Sequence, residues 1–309
     1  MRVTLVHNPD AGEGRPQGKD LVKILEGAGL QVRYVTTESD WKKALDEPAD
    51  LVVAAGGDGT VAKVLLAMLE RETPVALLPL GTANNIARTL GVVGDARALA
   101  AAWRVAAVRP FDVGRLRAAW GEEHLVESFG GGIFAESILR GENELDDPTA
   151  IVGPESDRAM LLLREIVHAA RPRPWQIELD GRDLSGEYLA VEALNIRFVG
   201  PNVPLAPEAD PADGQLELVL VGEEQRDILL EHLSGRLENA AAGPPDLPVE
   251  RGRRLTIVLE QPFPRLHLDD DIVGRDVGEL EGESARFTLE LEQGALRLLG
   301  ADAHVGREP

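Results

Sequence analysis

Short apolar runs divide the chain into two stretches of different character. Arg2–His7 reads as a strand, and Gln17–Ala28 carries Leu21, Ile24, Leu25 and Ala28 at helical spacing, with Gly29 placed to end the helix. Leu30–Thr36 alternates as a second strand, and Glu38–Asp46 predicts a short helix. Leu51–Ala55 and Val75–Leu78 are short enough for strands buried on both faces. Each breaks into a loop and then a helix, the second helix beginning at Asn84, and Asp95–Trp103 supplies one more Ala-rich helix. Such alternation predicts a parallel sheet flanked by helices, whose loops open at one edge.

From Val108 the period changes to two. Alternating segments cover Phe111–Ala119, His124–Phe129, Trp175–Leu179, Leu184–Phe198, Leu216–Val221, Leu255–Glu260, Leu266–Asp269 and Ala285–Leu291, with turn signals at Asp180-Gly181 and Asp213-Gly214. Arg158–Ala170 and Arg226–Leu237 read as helices, and the acidic stretch Gly141–Asp157 as a loop. The expectation is an α/β domain over residues 1–110, with 293–304 a candidate for completing it, and a β-rich, sandwich-like domain over 111–292.

Composition narrows the chemistry. The chain has 309 residues, 44% of them apolar, enough for the cores of one large or two medium domains. It has no cysteine, which excludes a disulfide framework, a thiolate zinc site and thiol catalysis. With 53 acidic against 32 basic residues the formal net charge is −21, which argues against nucleic-acid binding and against strong docking on an anionic leaflet. No run approaches eighteen apolar residues and no signal-like segment opens the chain, so the expectation is a cytoplasmic protein without a transmembrane segment. The six histidines lack the paired spacing of a zinc site and are read as structural.

Candidate chemistry gathers at three loops of the first domain: Asn8-Pro9-Asp10-Ala11-Gly12, Gly56-Gly57-Asp58-Gly59-Thr60, and Leu80-Gly81-Thr82-Ala83-Asn84-Asn85. Glycines let backbone N–H groups approach a phosphate, and a following helix presents its positive end. An acid in such a loop repels a phosphate, so Asp58 is read as acting through Mg²⁺ or on a nucleotide hydroxyl. Later in the chain stand two acidic clusters, Pro207–Gln215 and Leu268–Gly274. On a continuous strand Asp269 and Asp271 share one face and Asp270 the other.

GGDGT followed by PLGTANNIAR, with NPDAG at the opening, resembles the bacterial diacylglycerol-kinase-like lipid kinases, relatives of sphingosine kinases and, more distantly, of NAD kinases. The resemblance implies a nucleotide site for ATP at Asn8, Thr36, Gly56, Gly57, Asp58, Gly59, Thr60 and Thr82. It implies a Mg²⁺ site at Asp210, Asp213 and the carbonyl of Gln215, and a base, Asp269, assisted by Asp271, with Asp58 serving catalysis as well. The chain departs from the family pattern at Ala62 and Lys63, where Asn and Glu are usual, at Asp270, where Gly is usual, and at Asp271, where Glu is usual. The implied function is an ATP-dependent lipid kinase acting on a hydroxyl of a diacylglycerol-like or related lipid. Alternatives are a kinase of a soluble hydroxyl compound and a catalytically silent nucleotide-binding protein. Implied partners are the hydroxyl-bearing small molecule and a transient contact with the inner membrane face, with oligomeric state open between monomer and dimer.

Overall fold

The computed structural model describes residues 1–12, 16–144, 154–239, 242–273 and 283–300. Residues 145–153 of the acidic stretch, residues 301–304 of the segment expected to complete the first domain, Gly274 and His304 lie outside the described residues. Two compact units emerge among the described residues: Met1–Asp112 together with residues 293–300, and Val113–Glu292.

The first unit contains β1 (Arg2–His7), α1 (Gly18–Gly27), β2 (Gln31–Thr36), α2 (Trp41–Ala44), β3 (Leu51–Gly56), α3 (Asp58–Ala67), β4 (Val75–Pro79), α4 (Asn85–Thr89) and α5 (Ala96–Ala102). The strands pair in parallel in the order β2-β1-β3-β4. β3 is buried along its whole length, which its unbroken apolar run allows, whereas β2 at the edge keeps Gln31, Arg33 and Tyr34 in contact with solvent. Gly29, at φ +78, ends α1 by donating its amide to the Glu26 carbonyl at 2.8 Å. α2 is shorter than the sequence pattern predicts. The hydroxyl and amide of Ser39 both bond back to the Thr36 carbonyl, at 2.7 and 3.1 Å, and this local turn displaces the first turn of helix. Val3, Leu5, Leu21, Leu25, Leu51 and Trp103 belong to the core.

The second unit begins within β5 (Val108–Ala118) and continues through β6 (Gly121–Leu125), β7 (Ser128–Gly132), α6 (Ile133–Glu144), α7 (Glu155–Ala169), β8 (Arg173–Leu179), β9 (Arg182–Asp183), β10 (Gly186–Tyr188) and β11 (Ala190–Leu194). β12 (Leu216–Val221), α8 (Arg226–Glu238), β13 (Val249–Gly252), β14 (Arg254–Glu260), β15 (Leu266–Leu268), β16 (Asp271–Val273) and β17 (Ser284–Leu299) follow. One antiparallel sheet runs β13-β12-β11-β7-β15-β16. β10, β8, β14 and the first part of β17 pair in that order, β14 antiparallel to both its neighbours. A core including Phe129, Trp175, Leu216, Ile257 and Phe287 fills the space between these layers, and α6, α7 and α8 cover the other face of the first sheet.

Further expectations need correction: the segment read as alternating from Leu184 to Phe198 is split into β10 and β11, which belong to different sheets. The segment read as one strand from His124 to Phe129 is broken at Val126–Glu127 into β6 and β7, because those amides turn aside to serve a carboxylate described below. The acidic stretch Gly141–Asp157, expected to be a loop, is helical at both ends: α6 runs through Gly141 to Glu144 and α7 starts at Glu155.

Candidate active site

In the first unit the pairing register sets His7 beside Thr36 and Ala55, and Gly56 beside Pro79, so the loops leave one edge of the sheet together. They are fastened to each other. The Asn8 amide donates to the Ala55 carbonyl at 2.9 Å, and Asn8 Nδ2 donates to Thr60 Oγ1 at 3.1 Å. The Leu80 amide donates to the Gly56 carbonyl at 2.9 Å. Gly57 and Gly81 meet backbone to backbone: a Cβ on Gly81 would lie 2.5 Å from the Cα of Gly57, so no side chain fits there.

Asp58 opens α3 and is half-buried. Its Oδ1 accepts from the amide of Ile86 at 3.2 Å, so the acid of the first loop holds the backbone of the second. Burial raises its proton affinity, against backbone hydrogen bonds from Asn85, Ile86 and Asn84 that lower it. Asn84 adopts a left-handed φ of +53 and closes its loop by donating Nδ2 to the Gly81 carbonyl at 2.5 Å. Thr82 is exposed on that loop, Gly59 lies in the first turn of α3, and Thr36 stands at the end of β2. Ala62 is buried within α3, whereas Lys63 faces solvent.

In the second unit the acidic run Asp269-Asp270-Asp271 is not a continuous strand. Leu268 pairs with Asp271, and Asp269 and Asp270 make the two-residue turn between β15 and β16. Asp269 has a left-handed φ of +49, a conformation that Asp tolerates better than most residues, so the strict alternation read from the sequence does not apply. Its carboxylate reaches the break between β6 and β7. Oδ1 accepts from the amides of Val126, Glu127 and Ser128 at 3.2, 2.8 and 3.1 Å, and Oδ2 accepts from Val126 at 3.0 Å. Burial pushes Asp269 up to about 6, against the pull of these three amides. Asp270 and Asp271 are exposed.

Beneath the turn lies a pair that sequence reading passed over. His267 and Glu192 are fully buried; His267 Nε2 sits 2.9 Å from Glu192 Oε2, and Nδ1 sits 2.8 Å from the Asp269 carbonyl oxygen. Since a carbonyl only accepts, Nδ1 carries a proton. Burial works to lower the proton affinity of His267, and the adjoining Glu192 carboxylate together with Asp269 raises it overall. The Gly130–Gly132 run has a packing reason. A Cβ on Gly130 would fall 2.3 Å from Glu192 Oε2, and one on Gly132, at φ +86, would fall 2.1 Å from the Leu189 carbonyl. No local pattern joins residues 75 positions apart, so only the buried Glu in an otherwise apolar strand could have hinted at the pair.

Asp210, Asp213 and Gln215, the expected Mg²⁺ ligands, are close in space but differently engaged. Asp210 Oδ1 accepts from the Ala212 amide at 3.2 Å, and Asp213 Oδ1 from the Gln215 amide at 2.9 Å. The other oxygen of Asp213 takes the guanidinium of Arg251, which also reaches Glu217 Oε1 at 3.1 Å. Burial pushes Glu217 up to about 7. Mg²⁺ takes hard oxygen ligands, and one oxygen of Asp213 is already engaged by Arg251. Among the described residues no group of three acidic or histidine side chains is arranged to hold a metal ion; the expected set counts two carboxylates and a main-chain carbonyl.

Comparison with known proteins bears on both units. The model of the diacylglycerol kinase catalytic domain matches residues 2–116, and that of the YegS C-terminal NAD kinase beta sandwich-like domain matches residues 155–300. A protein of Klebsiella pneumoniae (strain 342) named "Probable lipid kinase YegS-like" is 31% identical over 243 residues, 72% of this chain and 75% of that one. The diacylglycerol kinase of Bacillus subtilis (strain 168) is 29% identical over 233 residues, 71% and 73% of the two chains. A crystal structure of a diacylglycerol kinase from Bacillus anthracis str. Sterne superposes with a TM-score of 0.67 at 23% identity, covering 98% of each chain, and shares the fold.

Proposed function

The chain belongs to the diacylglycerol kinase family, and from that membership we propose that it is an ATP-dependent lipid kinase, a phosphotransferase acting on an alcohol group of a diacylglycerol-like lipid. The first unit receives the nucleotide. Backbone amides of the loops at Asn8, Gly56–Thr60 and Thr82 and the positive end of α3 offer donors to the phosphates, and Thr36 lies at the same sheet edge. Asp58 serves by keeping the second loop against the first, through its bond to the Ile86 amide.

Asp269 is the base. The observation that carries this assignment is its carboxylate: one oxygen is occupied by three amides, the other by one, and burial has brought the group to about 6. A carboxylate of that basicity, with lone-pair capacity left on Oδ2, accepts the proton of an attacking hydroxyl near neutral pH. Asp271 stands beside it as an exposed acid of secondary weight. Phosphoryl transfer leans mainly on positioning and electrostatics, so the base supplies a minor share of the rate. Mg²⁺ is proposed as the ion that accompanies ATP and neutralises its phosphates, arriving with the nucleotide.

A lipid acceptor resides in a bilayer, so contact with the inner membrane face is part of the proposal. Among the described residues no helix is long and apolar enough to cross a membrane. The test is transfer of labelled γ-phosphate from ATP to a panel of defined lipids and water-soluble alcohols, with products separated by polarity. A labelled phospholipid is the expected result. Labelling of soluble alcohols alone, or ATP binding without any labelled product, would overturn the reading.

A further inference from the structure

On a chain with a net charge of −21, one cavity of the second unit gathers cations. Its volume is about 650 Å³, and Arg140, Arg171, Arg173 and Arg265 line it against one carboxylate, Glu136. Some arginines of the unit are claimed by acids: Arg115 reaches Glu122, Glu290 and Glu292, Arg182 reaches Glu250, and at the cavity itself Arg140 reaches Glu165. Arg171 and Arg265 are exposed and, among the described residues, have no acidic partner. In a protein so rich in carboxylates, unclaimed guanidinium groups around a cavity mark a place for an anion supplied from outside.

Two further features suit an anion there. The cavity borders the C-terminal end of α7 at Ala169 and Ala170, where bare carbonyls would repel negative charge. Arg226 neutralises that end by donating to the carbonyls of Val167, His168 and Ala170. Trp175, which lines the cavity at 2% exposure, has an indole Nε1–H without a hydrogen-bond partner. Ile133, Leu189 and Phe263 add an apolar wall that a bare inorganic ion would not use.

We propose that this cavity binds the phosphate-bearing head of an anionic phospholipid, with the adjoining part of that lipid against the apolar wall. The site is separate from the acceptor position. Asp269 is tied to the Ser128 end of β7 and the cavity to Gly132, so roughly 13 Å of strand lies between them. The inference rests on the lipid-kinase reading for the presence of a bilayer. It gives an acidic protein a defined face to turn toward an anionic membrane, at about 1 kcal/mol for each arginine near the surface.

The test is co-sedimentation of the full chain, without nucleotide, with vesicles of phosphatidylcholine alone and of phosphatidylcholine containing phosphatidylglycerol. The wild type is expected on the anionic vesicles only. Arg171→Gln combined with Arg265→Gln should lower that partition about thirty-fold, about five-fold per arginine, with an unchanged melting temperature. Arg171→Lys with Arg265→Lys, which keeps the charge, should restore most of it. Equal binding to neutral vesicles, or full binding by the Gln variant, overturns the proposal. Displacement from the vesicles by inorganic phosphate would make this a free-phosphate site and overturn the lipid assignment. Because nucleotide is absent, vesicle binding without phosphoryl transfer would sink the kinase reading alone, and transfer without arginine-dependent binding would sink this one alone.

Discussion

Asp58 and Asp269 are two half-buried carboxylates turned toward backbone amides, one in each unit, and they differ in whose amides they hold. Asp58 opens a helix and reaches the amide of Ile86 in a separate loop, 28 residues on. Asp269 stands on a strained turn and receives three successive amides from a chain break 141 to 143 residues away. The first arrangement is a latch, since releasing the carboxylate would free the loop. The second is a cradle that fixes the carboxylate itself and leaves Oδ2 lightly occupied. A carboxylate among amides is thus no sign of catalysis until one asks which partner the bonds immobilise.

The sharpest way to break this comparison is to neutralise each acid. Asp269→Asn should lower kcat by about 10² to 10⁴ while ATP binding stays near wild type, since a general base contributes about that much. The wild-type kcat/KM should also rise with pH up to about 6 and then level, because only the ionised carboxylate accepts a proton, and the residual activity of the variant should lack that limb. Asp58→Ala should act instead on stability and nucleotide affinity together. It leaves the amide of the fully buried Ile86 without its acceptor, a loss of about 1–3 kcal/mol visible in thermal unfolding and in ATP titration. If Asp58→Ala melts like wild type and binds ATP as well, the latch is not there.

A weaker effect concerns the acid held by Arg251. Glu217 is raised to about 7, so the folded chain holds its proton more tightly than the unfolded chain does. Its contribution to stability is therefore full below the ordinary carboxyl range and is lost as pH climbs through about 7. Unfolding midpoints across that range should fall in the wild type and stay flatter in Glu217→Gln. The smallest change is expected at Asp271, which is exposed and outside the amide cradle: Asp271→Asn should cost less than about ten-fold in kcat, far below the loss expected of a general base. A drop matching that of Asp269→Asn would mean that the base assignment is off by two residues.

The loops of the first unit were legible because their demands are local. Glycine is required where Gly57 and Gly81 touch, and small polar residues are required before α3 and α4, so spacing alone exposes them. The surroundings of Asp269 were not. Its partners are main-chain amides of Val126, Glu127 and Ser128, which carry no side-chain signature, and period-two alternation runs through both the break and the turn without marking either. Arg251 opposite Asp213 was hidden for the same reason, since ion pairs across strands leave no trace in local pattern.

The pairing of Leu298 with Val75 also bears on how the molecule is made. A ribosome finishes β4 long before it delivers the far end of β17, and at about 5–20 residues per second the interval is on the order of tens of seconds. Throughout it the outer backbone of Val75 has no β17 partner, and Leu299 has yet to join the core formed by Val3, Leu51 and Trp103. Nascent chains are therefore exposed at that one sheet edge, where chaperone capture or edge-to-edge association competes with completion.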